Sequence, residues 1–423
     1  MFNWDWFLII AVFSIGYMAI VLEYYIKINK TAVALLIGAV CWTIYLYSSL
    51  SPASENLLQL GHHVADVSQI IFFLMGAMTL VELIDAHKGF QIITDRITCR
   101  SQKGLLWIVA MITFFLSAAL DNLTTTILMV SLLRKIVPQR TERFVFCCIV
   151  VIAANAGGAW TPIGDVTTTM LWINGQISAL AVMKSLFLPS FLSLLIPLVW
   201  YTFRAKGKFT TDLPKQHKVQ IEPGANLVFF LGVGGLIFVP VFKAVTGLPP
   251  FMGVILALAV LWIVTDAMHH RYEERVHLRV PHILTRVDTS GILFFLGILL
   301  CVASLQTAGI LQVVAEWLNT TVESQSMIAT LIGFFSAIID NVPLVAGTIG
   351  MYPLDMYPMD ASFWHMIAYA AGTGGSILIV GSSSGVALMG IEKIDFISYM
   401  KKASIPVIAG YLGGMGLYLL LSS

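Results

Sequence analysis

The chain has 423 residues, of which 58% are hydrophobic and only 11% charged, with 24 Lys and Arg against 23 Asp and Glu. Soluble proteins carry about 25% charged residues, and this chain lacks the polar surface that a water-exposed globule requires. The composition excludes a soluble enzyme, gives no reason to expect nucleic acid or another polyanion as partner, and predicts an all-α polytopic membrane protein.

Apolar runs of the roughly 17–25 residues needed to cross a bilayer fall at about 6–24, 31–50, 67–86, 144–172, 185–203, 226–245, 250–268, 289–308, 361–390 and 403–421. The first lacks a basic flank and a small-residue cleavage site, so it reads as a retained helix and not a signal peptide. Two further stretches, 104–137 and 325–352, are too long for one crossing and are split at Asp121-Asn122 and Asp340-Asn341. With about 14–17 residues on each side of the split, both read as re-entrant hairpins. Starting outside, this arrangement puts 22 of the 24 basic residues on the inner side and leaves only Lys184 and Lys243 outside. Both termini are then expected on the outer, periplasmic side. The five cysteines show no metal-ligand spacing and read as packing residues.

The two halves repeat one another. Ser68-Gln-Ile-Ile-Phe-Phe-Leu-Met-Gly matches Ser290-Gly-Ile-Leu-Phe-Phe-Leu-Gly, and Ser117-Ala-Ala-Leu-Asp-Asn matches Ser336-Ala-Ile-Ile-Asp-Asn. Gly157-Gly158 with Gly164 matches Gly374-Gly375 with Gly381, 217 residues on. Five crossings per half force the second copy to insert upside down, an architecture recurrent in secondary transporters. The expected organisation is a first inverted repeat over 1–203, with hairpin 104–137 and a broken helix over 144–172. A cytoplasmic linker follows over 204–225. The second repeat covers 226–423, with hairpin 325–352 and a broken helix over 361–390.

A carboxylate inside an apolar segment costs roughly 2.5–3.5 kcal/mol on insertion scales, so it faces a polar cavity. Asp121 and Asp340 sit at hairpin tips, where freed backbone carbonyls can meet an ion. Each is followed by an amide, Asn122 or Asn341, and preceded four residues earlier by a hydroxyl, Ser117 or Ser336. Glycine and Pro162 break the 144–172 segment and place Asp165, Thr167 and Thr168 beside the interruption. In the second half Ser382 and Ser384 stand at the matching positions, with Ser383 between them. Carboxylate, amide and hydroxyl oxygens suit a hard cation. No Lys or Arg lies within either break or tip, so the site is expected to lack a fixed cation and to bind a cation in preference to an organic anion. Burial and mutual repulsion favour protonation of such carboxylates, so protons and a metal cation can compete for them: the minimal antiporter.

Glu82 and Asp85 read as interfacial acids facing Arg96 or Lys88, with a proton path through Glu82 as the alternative. His269, His270, His277 and His282 read as solvated loop histidines, with pH sensing as the alternative. Trp4, Trp6, Trp42 and Trp200 are candidate membrane-interface residues.

The S-x-x-x-D-N pairs at 117–122 and 336–341, with N-A-G-G-A-W-T-P-I-G-D at 155–165, resemble NhaD-type sodium/proton antiporters of the ion transporter superfamily. The resemblance runs through nearly the whole chain. Dicarboxylate carriers of that superfamily have Ser-Asn-Thr at the tips, and an acid replaces the leading Ser here. The resemblance implies Na+ and Li+ exchanged for H+ at alkaline pH, a bacterial inner membrane, and a homodimer whose transport domain moves as an elevator. It places functional weight on Ser117, Asp121, Asn122, Asp165, Thr167, Thr168, Ser336, Asp340 and Asn341, and extends it to Ser382 and Ser383. A dicarboxylate or oxyanion carrier and an intramembrane aspartyl protease are the rival readings. No cofactor is implied.

Overall fold

The computed structural model describes residues 4–48, 52–94, 101–137, 139–205, 222–322 and 324–422. Among them the secondary structure is entirely helical, and nine helices are long and apolar enough to cross a membrane. In lipid, helices satisfy every backbone polar group internally, which is why this composition takes this form. The chain is a multi-pass membrane protein.

In chain order the principal helices of the first half are α1 (Trp4–Val21), α2 (Lys30–Ser48) and α3 (Ala53–Ala86). The first split stretch gives α4 (Gln102–Ala119) and α5 (Asn122–Ile136), and the first broken segment gives α6 (Arg140–Gly158) and α7 (Val166–Ile173), followed by α8 (Ala179–Arg204). The second half contains α9 (Ala225–Thr246), α10 (Pro250–His269), α11 (Thr289–Thr307) and α12 (Ile310–Val322). Its split stretch forms α13 (Gln325–Ser336) and α14 (Asn341–Met351), its broken segment α15 (Ser362–Gly374) and α16 (Ser383–Glu392), and α17 (Ile405–Ser422) ends the chain.

Each half packs in the same way. The first hairpin arm lies along the first half of its own broken helix, α4 on α6 and α13 on α15. The second arm meets the far half of the other repeat's broken helix, α5 on α16 and α14 on α7. Glycine makes the hairpin seams possible. A Cβ on Gly157 would collide with the Phe114 carbonyl, and one on Gly374 with the Gly333 carbonyl at the matching position. Ser117 Oγ donates to Ala154 O at 2.6 Å and Ser336 Oγ to Ala371 O at 2.9 Å, so equivalent hydroxyls pin both hairpins. The two repeats are also joined at one end by a buried ion pair. Arg143 of α6 reaches Glu392 of α16 at 2.8 Å, and Arg140 donates to the Glu392 carbonyl at 2.6 Å.

Several expectations need correction. The third crossing begins 14 residues before the expected 67, and at 34 residues it is about 50 Å long. The polar His62, His63 and Asp66 ride on its first turns and hid it from a hydropathy reading. Helix α12 was not foreseen; its apolar residues Ile310, Leu311 and Ala315 are buried along one face, the pattern of a helix lying against the bundle. The first hairpin arm, at 18 residues, is longer than the expected 14–17, while the arms of 12 and 11 residues in the second hairpin are shorter. Trp42 is buried and its indole donates to Leu300 O at 2.8 Å, so it serves packing between α2 and α11 and not the interface. His269 is fully buried against His87, with 3.1 Å between their Nε2 atoms, whereas His270, His277 and His282 are exposed. Lys88 pairs with Glu222 at 2.9 Å, and Arg96 lies outside the described residues, as does 206–221 of the expected linker. Cys41, Cys147, Cys148 and Cys301 are free and buried; Cys99 lies outside the described residues.

Candidate functional site

Both Asp-Asn pairs end a helix and begin the next. Asp121 has extended backbone geometry and caps α5, with Oδ1 accepting from Thr124 N at 2.8 Å and Oδ2 from Thr124 Oγ1 at 2.6 Å. Asp340 caps α14 more loosely, accepting only from Val342 N at 3.3 Å. Proline explains the difference. The residue three beyond Asp340 is Pro343, which has no N–H to offer where Thr124 offers both N–H and hydroxyl.

Asp165 caps α7 at the first break. Its Oδ1 accepts from Thr167 N at 2.9 Å and Thr167 Oγ1 at 2.8 Å, while Oδ2 accepts from Asn122 Nδ2 at 2.7 Å. Asn122 also donates to Asn155 Oδ1 at 3.1 Å, and Asn155 Nδ2 donates to Ser376 Oγ and Ser382 Oγ, both at 2.8 Å. Ser382 in turn caps α16, accepting from Gly385 N at 3.2 Å. A single buried chain therefore runs from hairpin tip 1 through the first break to the second break. Such a network fixes its members because any unpaired buried polar group is costly.

In front of this network lies a cavity of about 290 Å³ that both hairpin tips line, through Asp121, Asn122 and Asp340, with Ser383 also on its wall. Asp165, Asn341, Ser382 and the Thr167 and Thr168 hydroxyls lie buried outside that lining. Ser117 and Ser336 belong to the hairpin seams and not to the cavity. Glu82 is half-buried on α3, within electrostatic reach of Asp85, Arg286 and Asp121.

The expected absence of a fixed cation is overturned. Lys30, at the start of α2, brings Nζ to 3.6 Å from Asp340 Oδ2 and stands 4.5 Å from the Phe294 ring centre. Lys30 is 310 positions from Asp340 in sequence, and only the packing of α2 on α11 brings it here. Acids nevertheless dominate the cavity wall: Glu23, Asp121, Asp288 and Asp340 against the single base Lys30. That field concentrates cations. Sequence reasoning also passed over Asn155 and Ser376. An amide within an apolar crossing, beside a double glycine, was the available signal for Asn155.

Residues 17–368 match the family model CitMHS, described as citrate transporter. Sodium/proton antiporter 1 of Arabidopsis thaliana is 54% identical over 96% of this chain and 71% of its own length. Sodium/proton antiporter 2 of the same plant is 50% identical over 96% of this chain and 97% of its own length. Na(+)/H(+) antiporter NhaD of Vibrio cholerae is 29% identical over 98% and 91%. With the Asp-Asn tips and the Asp165 break in place, the chain belongs to the NhaD-type sodium/proton antiporters within the family described as citrate transporters.

Proposed function

We propose that the chain exchanges Na+, and with it Li+, for H+, with cation and protons competing for the carboxylates of Asp121 and Asp340, supported by Asp165. One observation carries this reading: two hairpin-tip aspartates from different halves of the chain face one cavity whose wall holds four acids and one base. Asp121 and Asp340 contact the cation, and Asn122 and Ser383 contribute neutral oxygens. Asp165 acts from behind through Asn122, held by Thr167. Thr168, Ser382, Asn341, Ser117 and Ser336 shape the backbone whose carbonyls complete the site.

Glu23, Lys30 and Asp288 also line the cavity; in the orientation that puts basic loops inside, these residues lie toward the inner side and the termini outside. The two hairpins and two broken helices, joined through Arg143–Glu392 and the Asn155 network, then form the moving body of an elevator within a homodimer. The relatives named as antiporters come from both plants and bacteria, and a bacterial inner membrane is the setting implied by the latter. Lys30 and the family description favour a second reading, a carboxylate carrier. The excess of acids weighs against it, because a dianion entering four carboxylates meets repulsion that one ammonium does not offset.

Proton flux in proteoliposomes tests the reading. With an acid lumen and a pH-quenched dye, Na+ or Li+ outside should restore fluorescence, while K+ and citrate should not. A response to citrate alone would replace the antiporter by the carrier.

A further inference from the structure

Asp340 is the less satisfied of the two tip carboxylates. One backbone N–H at 3.3 Å holds it, where Asp121 has an N–H and a hydroxyl at 2.8 and 2.6 Å. Opposite it stands an ammonium whose base is well fixed. Lys30 N donates to Glu23 Oε1 at 3.0 Å, and α2 is clamped to α11 where a Cβ on Gly38 would meet the Gly297 carbonyl at 2.6 Å. The ammonium rests over Phe294 of α11, 4.5 Å from the ring centre. Both positions are partly water-accessible, with 29% of the Lys30 side chain and 17% of the Asp340 side chain exposed. An entering cation can therefore reach the pair.

We propose, building on the antiport reading above, that Lys30 is a tethered competitor of the transported cation: its ammonium occupies Asp340 while the site is empty, and Na+ must displace it. An ammonium and Na+ are both hard, strongly hydrated monocations, so one carboxylate edge serves either. Lys30 belongs to the α2–α11 pair and Asp340 to a hairpin tip, so their contact spans the boundary between frame and hairpin, and cation entry releases it. The other groups facing Asp340 do not supply a substitute. Asp121, Glu23 and Asp288 on the cavity wall are carboxyl groups and bring no ammonium, and Tyr17 of α1 brings only a hydroxyl, beside the Asp340 backbone. Lys30 acts on the cation through Asp340 and is a positioning residue.

The test is Na+ affinity of the purified full-length protein by isothermal titration at pH 9, paired with KM and kcat from proteoliposome flux. Lys30→Gln removes the competitor and should tighten Na+ binding and lower KM by about threefold to tenfold, the range open to a partly exposed ion pair. Lys30→Arg keeps the charge and should stay near the parent. A merely structural role predicts the reverse, weaker binding and a lower melting temperature in Lys30→Gln. Unchanged or weakened Na+ affinity in a Lys30→Gln protein that elutes and melts like the parent would overturn the inference. Absence of any Na+ heat in the parent protein would overturn the antiport reading, and this inference with it.

Discussion

The two hairpin tips share a motif, a seam and a cavity, yet they hold their carboxylates differently. Tip 1 is closed on itself: Thr124 caps Asp121 twice, and Asn122 leans on Asp165 and Asn155. Tip 2 is open, because Pro343 withholds the capping N–H, and the residue matching Asn155 is Gly372 and the one matching Asp165 is Ser382. Asp340 turns to Lys30 instead. The two copies differ at these three positions, and on the reading proposed above the difference makes one tip a fixed ligand and the other an exchangeable one.

The comparison can be broken most severely at the acids themselves. Asp121→Asn and Asp340→Asn should each lower Na+-driven exchange on the order of 100-fold or more, since about 3–4 kcal/mol of cation–carboxylate attraction is lost at an intermediate dielectric. Retained exchange in both variants, with normal membrane insertion, would remove the tips from the mechanism. Asn155→Ala comes next and should harm only the tip 1 network. It strands the buried Ser376 and Ser382 hydroxyls at a cost of about 1–3 kcal/mol, visible as a lower melting temperature in detergent.

Making tip 2 resemble tip 1 sharpens the contrast. Pro343→Thr should restore the cap, a gain of about 0.5–2 kcal/mol that holds Asp340 back from the cavity, and so raise KM for Na+ by up to about tenfold. A KM unchanged from the parent would show that capping does not set carboxylate availability.

The smallest effect is expected away from both tips. The Lys88 ammonium beside Glu222 holds its carboxyl below the usual carboxylate range. That contribution is fully present above the ordinary glutamate range and is lost as pH falls through the depressed value. At this exposed site it should amount to less than about 1 kcal/mol, so Glu222→Gln should flatten only the acid limb of a melting-temperature profile and leave exchange at pH 8 unaltered. A transport defect there would mean that the tips are not the sole seat of chemistry.

Much of this was legible in the sequence for physical reasons. Hydrophobic length reveals crossings, and a carboxylate in an apolar run reveals a site because it is too costly to keep otherwise. The glycine pairs at 157–158 and 374–375 marked the breaks, and their matched collisions with Phe114 and Gly333 explain the repeat in space. Contacts made across distant segments were hidden. Lys30 reads as a loop cation until α2 meets α11, and no sequence pattern pairs Glu392 with Arg143, 249 positions away. His269 sits in a polar loop by sequence and inside the fold by structure. The start of α3 was masked by polar residues that helical geometry carries on its exposed face.

The central claim is competition between Na+ and protons for the same carboxylates. It is tested most directly by the protons released when Na+ binds the purified protein, from titration calorimetry in buffers of different ionisation enthalpy. The account predicts that binding heat changes with buffer across pH 7 to 8, with proton release that declines as pH rises. Na+ binding whose heat is independent of the buffer throughout that range would contradict it.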